Sequence, residues 1–252
     1  MASIEVPSSR SHLTRYWYKC MPNNDSDYIK QRLHSLCLTA DVFDRSFSFT
    51  DRGIESRALM GWYSQNASLP TLSKFALEWG VNPKLVESWK ALASQSDGVG
   101  ITYNANLTSL RLYTHDWNRV RPSEIGKPVY TGFKSLQDGS LRIDEYLNYG
   151  DLRETSNFDY ASNRCTRPEW LERVVSMSPV DVPLIFTRTE NSSRQSWLVT
   201  VRHANLDAGD IVGYEFKGNK LLHLAGGVDA VKGEFLTFYL SSSPNQVLSL
   251  LK

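Results

Sequence analysis

The sequence predicts an α+β fold whose centre is an antiparallel ten-stranded β-barrel surrounded by α-helices. Segments in which apolar and polar residues alternate recur along the chain, and nearly all of them come in pairs around turn signals. Segments with helical periodicity lie between the pairs. A sheet of about ten strands is near the limit at which open sheets curl or close, so we expect a barrel with the helices outside.

The first half of the chain alternates between predicted helices and strands. Residues 25–39 predict a helix that opens with an Asp/Ser cap, and residues 41–64 predict a hairpin with its turn at Asp51–Gly53. Residues 69–94 predict two helices, which break at Gly80 before Asn82 caps the second one.

Hairpins dominate the second half. Asp138–Gly139 is a strong turn signal between two predicted strands. The predicted elements are, in order, a hairpin over 98–117, an irregular or helical piece over 118–127, a hairpin over 128–147, a helix over 167–177, a hairpin over 182–204, strands within 210–227 and 233–242, and a closing helix over 243–252. No linker or break in composition interrupts the chain, so we expect one domain over residues 1–252.

Charge and composition limit the classes of function. The chain has 28 Lys and Arg against 27 Asp and Glu, which gives no overall attraction to nucleic acid or to an anionic membrane. Since no apolar run has the length of a membrane span or the position of a signal peptide, we expect a cytoplasmic monomer. The three cysteines, Cys20, Cys37 and Cys165, lack zinc-ligand spacing and are interpreted as reduced thiols.

Basic and aromatic side chains share one face of several predicted strands. In the stretch NLTSLRLYTHDW, Leu110 and Leu112 alternate with Arg111, Tyr113 and His115. The same sorting recurs elsewhere: Arg57 shares a face with Leu59, Gly61 and Tyr63, Arg142 with Asp144 and Tyr146, Arg202 with Leu198 and Thr200, and Tyr239 with Phe235 and Thr237.

Two interpretations of these faces are open. Strand by strand, they are solvated faces of an open sheet, on which Arg and Tyr are ordinary surface residues. Their recurrence on alternate strands favours instead an enclosed chamber lined by arginine and tyrosine. Such a chamber suits a diphosphate attached to an apolar tail, because guanidinium groups pair with phosphate oxygens and tyrosine rings stabilise a cation.

Several stretches taken together resemble a known family: ESRALMGWYSQN with LSKFALEWGV, GVGITYN with LTSLRLYTHDW, GFKSLQDGSLRIDEYL, PLIFTRT with WLVTVRHAN, and GEFLTFYL. The family is that of the ABBA-type prenyltransferases, and the subgroup most similar is the peptide prenyltransferases of cyanobactin-type ribosomal peptide pathways. The resemblance extends from about residue 40 to the end of the chain. It implies transfer of a prenyl group from an allylic diphosphate.

The resemblance also implies roles for individual residues. It puts Arg57, Arg111, Tyr113 and Arg202 at the diphosphate, Tyr146 and Tyr239 around the allyl cation, and Asp44 near the acceptor as the catalytic base. Phe186 would line the prenyl pocket, where its bulk would favour a C5 chain, or it would simply pack in the core. Asp144 would contact a cationic acceptor or form an ion pair with Arg142.

Metal and histidine chemistry leave weaker signals. The sequence has no aspartate-rich motif of the kind that holds magnesium, yet the resemblance implies dependence on Mg²⁺ carried by the diphosphate itself. His203 and His223 are interpreted as structural residues. His115 is a weaker site candidate, because it shares its face with Arg111 and Tyr113.

We therefore expect a peptide prenyltransferase that moves a dimethylallyl (C5) group, or a geranyl (C10) group, onto a side chain of a cyclic or linear peptide. The acceptor residue stays open among Tyr, Trp, Ser, Thr, Arg, His and the peptide termini. Two alternatives remain. One is a prenyltransferase for a small aromatic acceptor. The other is a non-catalytic protein whose cavity binds an apolar ligand, which would not need converging arginines.

Overall fold

A computed structural model describes residues 26–251 of the protein, apart from residues 122, 136–140, 190, 191, 193 and 230–232. Its centre is a closed barrel of ten antiparallel strands, in which neighbours in sequence pair and the first strand pairs with the last. This confirms the predicted α+β barrel. The strands are β1 (Val42–Thr50), β2 (Gly53–Tyr63), β3 (Gly98–Asn104), β4 (Leu110–His115), β5 (Pro128–Ser135), β6 (Leu141–Asp151), β7 (Pro183–Thr189), β8 (Gln195–Thr200), β9 (Leu221–Asp229) and β10 (Gly233–Ser241).

The α-helices of the described chain lie before, between and after the strand pairs. They are α1 (Ser26–Cys37), α2 (Leu69–Trp79), α3 (Pro83–Ala93), α4 (Thr155–Ser162), α5 (Pro168–Met177), α6 (Ala208–Ile211) and α7 (Pro244–Leu248). Two 3₁₀ turns add to them, Tyr214–Phe216 and Ser249–Leu251. Within the described ranges, none of the helices combines the length and apolarity needed to cross a membrane.

Local chemistry accounts for the break between α2 and α3. Gly80 follows the last residue of α2 with a φ of 94°, a left-handed conformation that glycine adopts without a steric penalty. The side chain of Asn82 then accepts a hydrogen bond from the backbone N–H of Lys84 at 2.9 Å, and Pro83 occupies the first helical position. Both features agree with the prediction from the sequence.

The observed elements differ from the predicted ones in several places, and β6 continues to Asp151, past the predicted end of its hairpin at residue 147. Helix α4 lies where no element was predicted, because its sequence TSNFDYAS has no clear apolar stripe. Part of the strand predicted within 210–227 is the short helix α6 and a 3₁₀ turn, and the side chain of Asp207 binds the backbone N–H groups of Gly209 and Gly218 there. Strand β8 ends at Thr200, before the predicted end of the hairpin. The predicted turn at Asp138–Gly139, like Cys20, lies outside the described residues.

The outer face of the barrel is apolar and is buried under the helices. Leu33 of α1, Phe75 of α2 and Trp89 of α3 pack in one cluster with Met60 and Leu112 of the strands. A second cluster joins α4, α5 and α6 to the strands from β7 to β10. Because side chains alternate along a strand, the residues between these apolar positions point into the barrel.

Candidate active site in the barrel lumen

The lumen has two chemically different ends. The connections β1–β2, β3–β4, β5–β6, β7–β8 and β9–β10 are hairpin connections, and they meet at one end, which we call the turn end. The longer connections, which contain the helices, meet at the opposite end, which we call the helix end. Each strand therefore runs between the two ends, and its alternate residues form successive layers of the lumen.

A group of cations lies in the layer near the turn end. It consists of Arg57, Arg111, Lys134, Arg142 and Arg194, which we call the basic cluster. Arg111 pairs in register with Lys134, and Lys134 with Arg142, so these three side chains lie on adjacent strands at one level. Arg57, Arg111 and Lys134 line one pocket. The two arginines predicted to face a common chamber therefore do so.

The pocket between these cations is small. Its cavity volume is about 10 Å³, which is close to the space of one water molecule. Of the basic cluster, Arg57, Arg111 and Lys134 line this part of the lumen with their long side chains.

Asp144 of β6 lies at the centre of the basic cluster and is fully buried. The Nε of Arg142 donates to its Oδ1 at 2.8 Å, while Nη1 of Arg111 and Nη1 of Arg194 lie 3.4 and 3.8 Å from its Oδ2. The hydroxyl of Thr189 also donates to Oδ1. Burial raises the pKa of this carboxyl, but the three arginines outweigh burial and hold the pKa below its usual range.

Tyrosines form the next layer. Arg111 donates to the hydroxyls of Tyr113 at 3.0 Å and Tyr146 at 3.3 Å, and its guanidinium lies 5.7 Å from the ring centre of Tyr113. The rings of Tyr113 and Tyr146 are 6.3 Å apart. Burial raises the pKa values of Tyr146 and Tyr239, so both phenols stay neutral at physiological pH. This layer puts aromatic faces directly beside the cations.

Asp44 of β1 lies in the layer toward the helix end and is only 4% exposed. Its Oδ2 is 3.3 Å from Nη2 of Arg202, while its Oδ1 has no hydrogen-bond partner. Burial raises the pKa of the carboxyl to about 6, against an opposing effect of Arg202. A buried carboxylate with a raised pKa and one unpartnered oxygen has the properties of a general base.

Two histidines accompany Asp44 and Arg202. His115 stacks on Tyr130 at 5.1 Å, and His223 meets the edges of Tyr130 and Tyr239 at 6.5 and 5.7 Å. Burial, with a smaller contribution from the charge of Arg202, lowers the pKa of His115 to about 4. The same two causes lower the pKa of His223 well below its ordinary value. Both imidazoles are therefore neutral at pH 7. His223, which we interpreted as structural, lines the lumen, and its Nδ1 has no partner.

Two site predictions do not fit the structure. Arg202 lies beside Asp44 and not among the basic cluster, because β8 ends at Thr200 and Arg202 follows the strand in the helix-end connection. Phe186 lies on the outer face, where its ring centre is 4.0 Å from that of Tyr149 and 4.2 Å from that of Tyr160. It does not line the lumen.

Other lumen residues were missed from the sequence. Ile185 and Ala225 pack beside Tyr146, together with Leu198, which the sequence had already put on the same face as Arg202. Arg194 and Lys134 belong to the basic cluster, and Tyr130 joins the tyrosine layer to the histidines. The two-residue period already contains the signal for Lys134 and Tyr130, since both alternate with the buried outward residues of β5.

The described residues do not fit a protein-held magnesium ion. They contain no group of three or more His, Cys, Asp or Glu side chains placed to hold a metal. In the basic cluster, Asp144 is already surrounded by arginines, and cationic side chains do not ligate Mg²⁺. We therefore derive no step through a metal.

No family model and no curated protein sequence matches the chain. Its fold is similar to solved prenyltransferases. The 5-dimethylallyltryptophan synthase from Streptomyces coelicolor gives a TM-score of 0.60 at 12% identity, over 88% of this chain and 93% of that chain. The prenyltransferase PriB in binary complex with product diphosphate gives 0.58 at 11% identity, over 87% and 96%. A 6-dimethylallyl tryptophan synthase gives 0.55 at 15% identity, over 86% and 96%.

PriB was also crystallised in a ternary complex with L-tryptophan and dimethylallyl thiolodiphosphate, and that structure gives a TM-score of 0.57 at 12% identity, over 87% of this chain and 96% of that chain. At such identities the likeness establishes the fold, which is the barrel of the ABBA-type prenyltransferases.

Proposed function

We propose that this protein is an enzyme that transfers a prenyl group, preferably dimethylallyl, from an allylic diphosphate to a side chain of a peptide. The observation that supports it best is the order of the lumen layers: a basic cluster, then tyrosine faces, then a buried carboxylate with a free oxygen. Each layer corresponds to one requirement of the reaction. The solved structures of similar fold add support, because PriB was crystallised with dimethylallyl thiolodiphosphate and with product diphosphate.

The basic cluster would take the leaving group. When the bond between the allylic carbon and the oxygen breaks, the electron pair stays with the diphosphate, and its charge grows in the transition state. Arg57, Arg111 and Arg194 are placed to neutralise that charge. Arg111 and Arg194 are largely buried, where fixed cations stabilise most.

The tyrosine layer would hold the allyl cation. The faces of Tyr113, Tyr146 and Tyr239 carry negative charge density and stabilise a cation within about 6 Å of the ring centre. Tyr146 is buried, and Tyr113 and Tyr239 are half-buried, so these rings would restrict the access of water to the cation before the acceptor captures it.

Asp44 would take the acceptor proton. The nucleophile of the acceptor forms its bond to the allyl carbon as its own proton passes to Asp44 Oδ1, so the products are the prenylated acceptor, the protonated base and inorganic diphosphate. With a pKa of about 6, Asp44 is ionised and ready to accept a proton at pH 7 and above.

The C5 preference follows from the apolar wall of the lumen. Ile185 and Leu198 lie beside Tyr146, where we expect their side chains to limit the length of the prenyl chain. They replace Phe186 in the role that we had expected for it. A geranyl donor is the secondary candidate, since an apolar wall of aliphatic side chains is easily enlarged.

A second acceptor class is favoured by a specific observation. PriB, whose fold is similar, was crystallised with free L-tryptophan. The unpartnered Oδ1 of Asp44 accepts equally well from an indole N–H, a phenol or a guanidinium. The remaining alternative, a cavity protein without chemistry, does not account for the five cations and the buried base in one lumen.

The test is a mass-spectrometric screen of the purified chain with dimethylallyl, geranyl and farnesyl diphosphates. The acceptors are a panel of cyclic and linear peptides and free L-tryptophan. A mass gain of one C5H8 unit on a peptide supports the proposal, and fragmentation locates the acceptor residue. Product with L-tryptophan alone supports the second acceptor class, and no product with any acceptor contradicts prenyl transfer. Parallel reactions with EDTA and with added Mg²⁺ test the magnesium dependence that the resemblance implies.

A further inference from the structure

Asp144 is a charged group in an unusual place. It is fully buried at the level of the lumen where an anionic ligand would bind, and it is itself an anion. Burying a carboxylate is unfavourable unless partners compensate for the lost water. Oδ1 accepts hydrogen bonds from Arg142 and Thr189. Oδ2 has no hydrogen-bond partner and is compensated by the charges of Arg111 and Arg194.

The arginines around Asp144 come from three different strand regions. Arg142 lies on β6 with Asp144 itself, Arg111 lies on β4, and Arg194 lies just before β8. Asp144 is the carboxylate within ion-pair distance of all of these guanidinium groups. Without Asp144, the three guanidinium groups would face one another in a region of low dielectric constant, and their repulsion would move them apart.

At least two of the arginines are also fixed by a second contact. Arg111 is held by the hydroxyls of Tyr113 and Tyr146. Arg194 donates from Nε to the hydroxyl of Ser196 at 3.0 Å and lies 5.2 Å from the ring centre of Phe235. A guanidinium has five N–H donors in a rigid plane, so two fixed contacts determine where its other donors point.

We propose that Asp144 is a positioning residue, which holds the guanidinium groups of Arg111, Arg142 and Arg194 in the orientation that a diphosphate requires. This inference rests on the proposed function, because it concerns the same diphosphate. It replaces the earlier alternative in which Asp144 contacts a cationic acceptor, since its oxygens face arginines of the protein itself.

A different role for the same contacts makes the opposite prediction. If Asp144 only offset the charge of the arginines, it would compete with the diphosphate, and its removal would tighten diphosphate binding. If it positions them, its removal loosens binding and slows turnover, because the three arginines no longer converge. The isosteric variant Asp144→Asn separates these outcomes, since it keeps the shape of the side chain and removes the charge.

The experiment measures binding of inorganic pyrophosphate by calorimetry on the full chain, together with kcat and KM for dimethylallyl diphosphate. A small misplacement of a positioned group costs up to about 100-fold in rate. We therefore expect Asp144→Asn to lower kcat/KM by roughly 10- to 100-fold and to weaken pyrophosphate binding by about tenfold or more. Asp144→Glu should restore part of both losses, which a role in stability alone would not produce.

Glu145→Gln is the matched control. Glu145 is the next residue on β6 and forms an ion pair with Arg188 on the outer face at 2.6 Å. Its replacement by glutamine removes the same charge as Asp144→Asn does. Its kinetics and pyrophosphate affinity should stay within about twofold of the wild type, because exposed ion pairs contribute little. Thr189→Val serves where Asp144→Asn does not fold, since it removes one hydrogen bond to Asp144 and keeps the charge. It should weaken pyrophosphate binding a few-fold.

Each result decides a separate point. Wild-type protein that does not bind pyrophosphate overturns the proposed donor site, and the inference with it. Wild-type binding together with equal or tighter binding by Asp144→Asn overturns only the positioning role. Where Asp144→Asn does not fold, unchanged affinity in Thr189→Val overturns that role instead. Weaker binding and a lower kcat in Asp144→Asn, partly restored in Asp144→Glu and absent in Glu145→Gln, support it.

Discussion

Replacement of Asp44 by asparagine should stabilise the protein and abolish its activity. Burial raises the pKa of Asp44 from 3.8 to about 6 in the folded chain, although Arg202 partly offsets the effect. The carboxylate is therefore a less favourable group inside the barrel than in the unfolded chain. Asparagine has the same shape and no charge, so the variant removes this cost together with the base.

The size of the effect follows from the pKa shift. The shift is about 2 units, and each unit corresponds to about 1.4 kcal/mol, so the ionised carboxylate costs the folded state up to about 3 kcal/mol. Because the pKa is raised in the folded chain, the wild type is not penalised below pH 3.8, where Asp44 is protonated in both states. This part of the stability is lost as the pH rises, and it is completely lost above about pH 6. Asp44→Asn should therefore exceed the wild type in stability by about 3 kcal/mol at pH 8 and by less than about 1 kcal/mol at pH 4.

Thermal unfolding at the two pH values measures this difference. Since 1 kcal/mol shifts the Tm of a domain of this size by about 2–4 °C, the Tm of Asp44→Asn should be about 6–12 °C higher than that of the wild type at pH 8. Asp51→Asn in the exposed β1–β2 turn removes the same charge and should show no such difference between pH 4 and pH 8. A Tm for Asp44→Asn at or below the wild-type value at pH 8 would refute the reasoning.

The same pKa predicts the acid limb of the reaction. The kcat/KM of the wild type should fall about tenfold per pH unit below pH 6, because the base becomes protonated. Arg202→Gln removes the cation that lowers the pKa of Asp44, so its acid limb should move to higher pH. A wild-type profile that stays flat down to pH 4 would show that Asp44 is not the base.

Three further variants test the layers of the lumen. Arg111→Met should reduce turnover of dimethylallyl diphosphate by about 10²–10³-fold, while Arg188→Met on the outer face stays near wild type in the same assay. Tyr146→Leu should release more prenyl alcohol per prenylated product, which chromatography measures, and Tyr146→Phe should not, because it keeps the ring face. Leu198→Ala should increase the use of geranyl relative to dimethylallyl diphosphate, whereas Phe186→Leu should leave that ratio unchanged. If Phe186→Leu raised the ratio and Leu198→Ala did not, Phe186 would line the prenyl pocket after all.

Alternation along the strands made the lumen predictable where one face was clearly apolar. Leu110 and Leu112 define the outer face of β4, so Arg111 and Tyr113 have to point inward. Buried and less buried residues also alternate along β6, so that Asp144 and Tyr146 point into the lumen. These assignments depended only on the two-residue period of a strand.

The errors fell where that period carries no information. Strand β7 has the sequence PLIFTRT, which is apolar on both faces, so alternation does not tell whether Ile185 or Phe186 points inward. Arg202 and Arg194 lie beyond the two ends of β8, where the alternation no longer fixes direction. The pairing of Arg202 with Asp44 brings together residues far apart in sequence, and only the closure of β1 onto β10 makes that contact possible.

The two ends of the barrel differ in how well the fold tolerates substitutions of their residues. Most of the basic cluster is carried by strand residues, and the barrel ladder fixes the spacing of Arg111, Lys134 and Arg142, while Arg194 lies just before β8. Asp44 and Arg202 lie instead where the longer connections enter, and Arg202 is itself part of such a connection. Loops change with far less effect on a fold than strands do, so the acceptor end can be altered while the diphosphate end is kept. Substitutions in the connection over residues 201–220 should therefore change which acceptors react, and they should leave the KM for dimethylallyl diphosphate nearly constant.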